Sequence, residues 1–305
     1  MLHARFFHFL LPIVCASFAA VAPAQTIGRL ARLNGAQEVP LVVTAANGLG
    51  FVSIDTVANT LTYREVYAGL GSPETVAHIH GFALPGSNAG VLHAQALGAL
   101  KCGVWAMTAA QQANVLAGLA YFNVHTTGNP GGEIRGQIDI DPDQVTFCYG
   151  DGSGAACPCG NFSAPGDNEG CRHSGAIGGR LQGYSGTTSL NPSISNDRLV
   201  LHALRLPPST FALFFQGTLQ AAGGAGVPFG DGLRCIDGNQ RRLALKQACN
   251  SQVGLPEPGD LPLSVLGGIG IPGVIRYQAW YRNPPGFCTP ATFNLTNGVE
   301  VTWTP

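Results

Sequence analysis

Four of the eight histidines, His78, His80, His93 and His125, fall within one 48-residue window, and two of them stand in the stretch VAHIHGF. In a β-strand successive side chains alternate faces, so His78 and His80 project from one side while Ala77 and Ile79 take the other. An H-x-H pair on a strand is a metal-ligand spacing, and three or four neutral imidazoles suit copper, zinc or nickel. The stretch YFNVHT likewise sets Asn123 and His125 opposite Phe122 and Val124, and EIRGQI sets Arg135 and Gln137 opposite Ile134 and Ile138. With the apolar sides toward a core, His78, His80, His125, Asn123, Arg135 and Gln137 all occupy outward faces. The competing reading is that the histidines hydrogen-bond the TTGNPGGEIR loop, with Asn123 and Arg135, and hold a surface turn together.

The elements around these residues read as strands. RLARLNG, GLGFVSID, TLTYREVYA, TVAHIHGF, GVLHAQAL, AYFNVHT and GEIRGQIDI alternate between Gly, Pro and Asn turns. One helix is expected from Thr108, with Thr as cap, Gln111 at the third following position and Gly118 as terminator. Later, RLVLHALRL, TFALFFQG, VIRYQAWYR and VEVTWTP alternate in the same manner, between long Gly/Pro loops.

Composition bounds the remaining choices. Residues 1–24 carry one Arg, an apolar stretch from Phe6 to Val14 and an Ala22-x-Ala24 site, the pattern of a secretory signal peptide. Its removal leaves 15 basic against 17 acidic residues, and only two lysines remain, Lys101 and Lys246. A nucleic-acid partner has no electrostatic support, and no later run suits membrane insertion, so a secreted or cell-envelope protein is expected. Eight cysteines follow the signal: Cys102, Cys148, Cys157, Cys159, Cys171, Cys235, Cys249 and Cys288. In an exported chain they read as disulfides, with the pairing left open, and the Cys157-Pro-Cys159 spacing departs from zinc-binding C-x2-C. The chain lacks G-x-S-x-G, H-E-x-x-H and phosphate-loop motifs. Trp105, Trp280 and Trp303 with Tyr277 and Tyr281 offer a surface on which a glycan stacks, or else ordinary core.

Seven of the eight cysteines lie after residue 147, which divides the chain. The expected units are a β domain over 25–141, a linker over 142–147 around Pro142 and a Cys-rich β domain over 148–305.

LNGAQEVP, AHIHGFALPGSNAGV, GVWAMTAAQ and YFNVHTTGNPGGEIRGQI, in that order, resemble the motifs of the CHRD domain, the module named from chordin. The resemblance implies an all-β Greek-key sandwich related to the fold of copper/zinc superoxide dismutase. In that family copper is held by an H-x-H strand pair, a bridging histidine in the next loop and a late histidine. By resemblance these are His78 and His80, His93, and His125, with Cys102 where that family keeps a disulfide. The zinc half has no counterpart, since no Asp or Glu occurs from Val76 to Gly132. The second half resembles a cysteine-rich module of exported, planctomycete-like bacterial proteins. Two functions are therefore carried forward. One is a non-enzymatic extracellular role, binding a protein or glycan partner or serving structure. The other is a copper- or other metal-binding protein using the HIH strand, with dismutase-like redox activity as its furthest extension and Arg135 as a cationic guide.

Overall fold

The structure is a computed structural model and describes residues 26–185, 188–190, 197–284 and 286–305. The segment read as a signal peptide lies outside the described residues. The chain is all-β. Its first part comprises β1 (Thr26–Asn34), β2 (Asn47–Asp55), β3 (Thr60–Ala68), β4 (Glu74–His80), β5 (Val91–Gln95), β6 (Leu100–Ala106), one helix α1 (Ala109–Leu116), β7 (Tyr121–Thr126) and β8 (Ile134–Gln137).

These eight strands form one sheet in the order β5-β4-β7-β8-β1-β2-β3-β6, every neighbouring pair antiparallel. The sheet curls until its edges β5 and β6 approach, giving a nearly closed barrel. Close to this seam, Gln95 of β5 donates to Glu65 Oε2 of β3 at 2.8 Å. The interior is filled by the inward residues of each strand, among them Val52, Ile54, Leu61, Ala77, Ile79, Phe122, Val124 and Ile134. That set follows from period-2 alternation in the sequence. The helix is capped as its sequence requires: Thr108 Oγ1 accepts from the Gln111 amide, Gln111 Oε1 accepts from the Thr108 amide, and Gly118 adopts φ +73 just past the end.

Strand β6 departs from the expected pattern, because Lys101 and Trp105 point inward while Leu100 and Val104 are exposed. The inward lysine is neutralised by Glu74 Oε1 at 2.5 Å, with Tyr67 donating to the other carboxylate oxygen at 2.7 Å. A buried charge needs such a partner, and only the folded barrel supplies it.

The second part contains β9 (Val145–Phe147), β10 (Arg180–Tyr184), β11 (Val200–Leu204), β12 (Phe211–Gly217), β13 (Leu219–Gln220), β14 (Val227–Phe229), β15 (Gly232–Arg234), β16 (Ile236–Asp237), β17 (Arg241–Gln247), β18 (Val253–Leu255), β19 (Gly273–Arg282), β20 (Phe293–Leu295) and β21 (Gly298–Trp303). A three-stranded sheet, β10-β11-β18, packs on a six-stranded sheet, β17-β12-β19-β21-β9 with β20 beside β19. Leu181, Leu201 and Leu255 from one face Phe214, Tyr281 and Trp303 from the other. Strand β9 already belongs to this assembly, although its residues fall in the segment expected as linker.

The eight cysteines among the described residues are all paired: Cys102–Cys249, Cys148–Cys235, Cys157–Cys171 and Cys159–Cys288. The first ties the barrel to the second assembly. Beside it, buried Arg64 on β3 donates to both oxygens of Glu257, at 2.6 and 3.1 Å. Leu30, Leu49 and Phe51 on the barrel's outer side meet Tyr184 and Val200, and His202 packs against Phe51 with ring centroids 5.1 Å apart. Gly254 fits this contact because a Cβ there would lie 1.9 Å from Phe51 Cζ.

Candidate metal centre

Adjacent strands β4 and β7 carry the histidines. Their register pairs His80 with Tyr121, His78 with Asn123 and Val76 with His125, and β7 pairs Asn123 with Arg135 of β8. Ala77 and Ile79 enter the barrel core, so the three imidazoles stand together on the opposite face. Ring centroids are 5.3 Å apart for His78–His80, 5.3 Å for His78–His125 and 5.7 Å for His80–His125. One ligand nitrogen from each lies within 4.8 Å of the others.

The unused nitrogens are held by backbone. His80 Nδ1 bonds the Ala89 carbonyl at 3.0 Å and His125 Nδ1 bonds the Pro130 carbonyl at 2.9 Å. A carbonyl accepts only, so each Nδ1 carries the proton and each Nε2 presents its lone pair. Those two Nε2 atoms, together with His78 Nδ1, have no hydrogen-bond partner among the described residues although all three are buried. Burial also holds His78 and His80 below the ordinary imidazole pKa, which keeps both rings neutral, with neighbouring His125 acting in the same direction. Neutral rings with oriented, unpaired lone pairs are the form in which histidine ligates metal.

Loops on either side set this geometry. Following β7, Glu133 is buried and accepts from Thr126 Oγ1, Thr44 Oγ1 and the Gly71 amide at 2.7 to 2.8 Å, which fastens the loop that offers the Pro130 carbonyl. These bonds keep its carboxylate below the ordinary pKa despite burial. The stretch LNGAQEVP folds as a 3-10 turn capped by Asn34 and brings Glu38 over the same face of the sheet. Gly132 separates Glu38 from Asn123; a Cβ there would lie 2.4 Å from Asn123 Oδ1 and 2.7 Å from Glu38 Oε1, so only glycine fits. Burial pushes the Glu38 carboxyl up to about 7, against the opposing pull of Arg135 and Asn123.

The polar residues expected on an outward face are there, yet they are not exposed. Asn123, Arg135 and Gln137 are all buried, because the 35–44 and 82–90 loops cover that face. Arg135 lies 3.5 Å above the Tyr121 ring and donates to Asn88 and Gln137. Tyr121 in turn stacks on His80 at 5.2 Å. Engaged in this way, Arg135 is a brace for the histidine layer and not the exposed guide expected for it. Gln137 donates to the Ala83 and Gly118 carbonyls, at 2.9 and 2.7 Å, and pins one covering loop. Only His78 is half-exposed, which leaves the cluster open to solvent on its side.

His93 does not join the other three. It pairs with Ile79, one residue off the ligand register, and so faces the barrel interior, where it contacts Tyr63 and Trp105. A one-residue offset on a strand changes the face, and the unbroken register from Ala77–Gln95 to Ile79–His93 fixes that offset. The expected fourth ligand is therefore corrected to an interior residue. Ala89 and Pro130, whose carbonyls orient the rings, were not legible in the sequence, since any residue supplies a carbonyl.

Residues 30–138 match the family model of the CHRD domain, which supports the resemblance read in this part of the chain. No curated protein and no solved structure matches the chain.

Proposed function

We propose that the CHRD domain of this protein is a metal-binding module in which His78, His80 and His125 hold one late first-row transition ion, copper foremost. The observation that carries this is that the three imidazoles each offer a nitrogen within 4.8 Å of the others, and that each ring has a buried nitrogen without a partner among the described residues. An unpaired buried polar atom costs about 1–3 kcal/mol, and three in one place call for a common partner. Nitrogens around one ion at ~2.0–2.1 Å stand at most about 4.2 Å apart, so a slight closing of the rings completes the set. Three imidazoles with no carboxylate or thiolate favour copper by the order of divalent affinities. A structural role for the histidines alone explains the Nδ1 bonds and leaves the three free nitrogens unexplained.

Four disulfides support an oxidising, extracellular or envelope setting, in line with the export signal read at residues 1–24 and the likeness of the second half to exported bacterial modules. No helix among the described residues is long and apolar enough to cross a membrane. The test is metal content of the purified protein, with copper and zinc titrated into wild type, His78→Ala/His80→Ala and His93→Gln. Uptake of one ion per chain by wild type and His93→Gln, lost in the double variant, supports the reading. Equal uptake by all three proteins overturns it.

A further inference from the structure

The aromatic residues in the second half separate into two groups. Trp303, Tyr277 and Tyr281 are buried in the sandwich, and Trp105 is buried in the barrel, so none of them presents a stacking face. Trp280 differs. It lies on the outer side of the six-stranded sheet, partly exposed, beside Phe293 at a centroid distance of 5.3 Å and a tilt of 37°. The two rings are not coplanar, and Phe293 continues to Phe229 at 5.0 Å.

Trp280 forms part of a cleft of about 530 Å³. Its floor is Leu213, Phe215, Trp280 and Leu295, and its rim is cationic, with Arg234, Arg241 and Arg242. No carboxylate lines it. Arg234 has one acidic neighbour, Asp237 at 3.6 Å, whereas Arg241 and Arg242 are exposed and make no ion pair among the described residues. Sheet register explains their placement. Trp280 pairs with Leu213 across β19 and β12, and Phe215 pairs with Arg242 across β12 and β17, where the register slips between Phe214 and Phe215. Such a slip leaves Leu243 of β17 unpaired and bends the strand locally, and Arg242 beyond it shares the cleft face with Phe215, whereas Arg241 pairs with Gln216 and reaches toward Gly268 at the edge.

We propose that this cleft is a binding site for an acidic carbohydrate, a pyranose unit bearing carboxylate or sulfate. The apolar face of a sugar ring stacks on an exposed indole, and the guanidinium fork meets a carboxylate or sulfate with two parallel bonds. The cleft has the volume for one or two sugar rings, smaller than an extended peptide groove. Charge complementarity selects the occupant: an apolar floor with a purely cationic rim rejects neutral sugars by leaving arginines unmatched. The site is independent of the histidine cluster and stands or falls separately from it.

The test uses the full chain, titrated with an oligouronate, a sulfated oligosaccharide and a neutral oligoglucose of equal length, followed by tryptophan fluorescence and calorimetry. Trp105 and Trp303 are buried, so the fluorescence change reports Trp280. At least one anionic probe binds, the neutral one at least tenfold more weakly. Arg234→Gln/Arg242→Gln weakens anion binding at least tenfold and flattens its salt dependence, Trp280→Ala abolishes it and Trp280→Phe retains part of it. The relative strength of uronate and sulfate binding assigns the anionic group. Binding of neither anion, or affinity unchanged in Trp280→Ala or the double arginine variant, overturns the proposal. Circular dichroism of each variant confirms that the fold is retained.

Discussion

Replacing His125 by alanine separates a packing role from a ligand role, because the two predict opposite dependence on metal. In the metal-free protein the substitution removes the Nδ1 bond to Pro130, worth about 0.5–1.5 kcal/mol, and some ring packing. It also removes an unpaired buried Nε2, relieving about 1–3 kcal/mol. These nearly cancel, so metal-free stability changes by no more than about 1–2 kcal/mol. With free ion at a hundred times its dissociation constant, wild type gains about 2.7 kcal/mol by linkage. At about 2–4 °C per kcal/mol this raises the melting temperature by roughly 5–10 °C. Thermal unfolding followed by circular dichroism, with copper(II) and with redox-silent zinc(II), measures both quantities. Wild type shows the rise and His125→Ala does not. An equal rise in the variant, or a loss above about 4 kcal/mol without metal, would refute the reasoning by showing that the ring serves packing alone.

Three further outcomes follow from the contact between the barrel and the second assembly. Glu257→Ala leaves the Arg64 guanidinium buried without its carboxylate and costs about 3–5 kcal/mol in urea unfolding, while Arg64→Met/Glu257→Met costs much less; comparable losses would contradict the account of the pair. His202 is fully buried, and burial lowers its pKa to about 3. The unfolded chain binds this proton below about 6.5 and the folded protein does not, so stability falls as pH drops from about 6.5 toward 3, by up to about 1.4 kcal/mol per pH unit. His202→Gln removes that share of the slope, and parallel pH profiles for variant and wild type would count against it. Gly254→Ala forces a Cβ into the Phe51 ring and costs about 1–3 kcal/mol by the same urea assay, a neutral effect meaning that the contact yields.

The all-β class and most strands were legible because alternation has a period of two and survives any tertiary arrangement. TLTYREVYA is β3 residue for residue. The Thr108 cap of α1 is equally local, since donor and acceptor lie three residues apart. Strand β6 was not legible, because its inward Lys101 breaks the apolar alternation and is tolerated only beside Glu74, 27 residues away. Equivalent reasoning sorts the histidines. The x-spacing of His78 and His80 puts both on one face of a strand, whereas the face of His93 depends on which strand β5 joins and in which register.

By itself, then, the sequence determined those properties that depend on neighbours along the chain: strand faces, the helix cap, the H-x-H pair and the number of cysteines available to pair. Tertiary structure alone decided which cysteines meet, that the polar side of the β4-β7-β8 layer is covered and not exposed, and that His125 joins the HIH pair while His93 turns inward. Each depends on strand register and on loops closing over the sheet. A shift of a single residue in register exchanges the two faces of a strand, and no local pattern in the chain specifies that choice across 40 intervening positions or more.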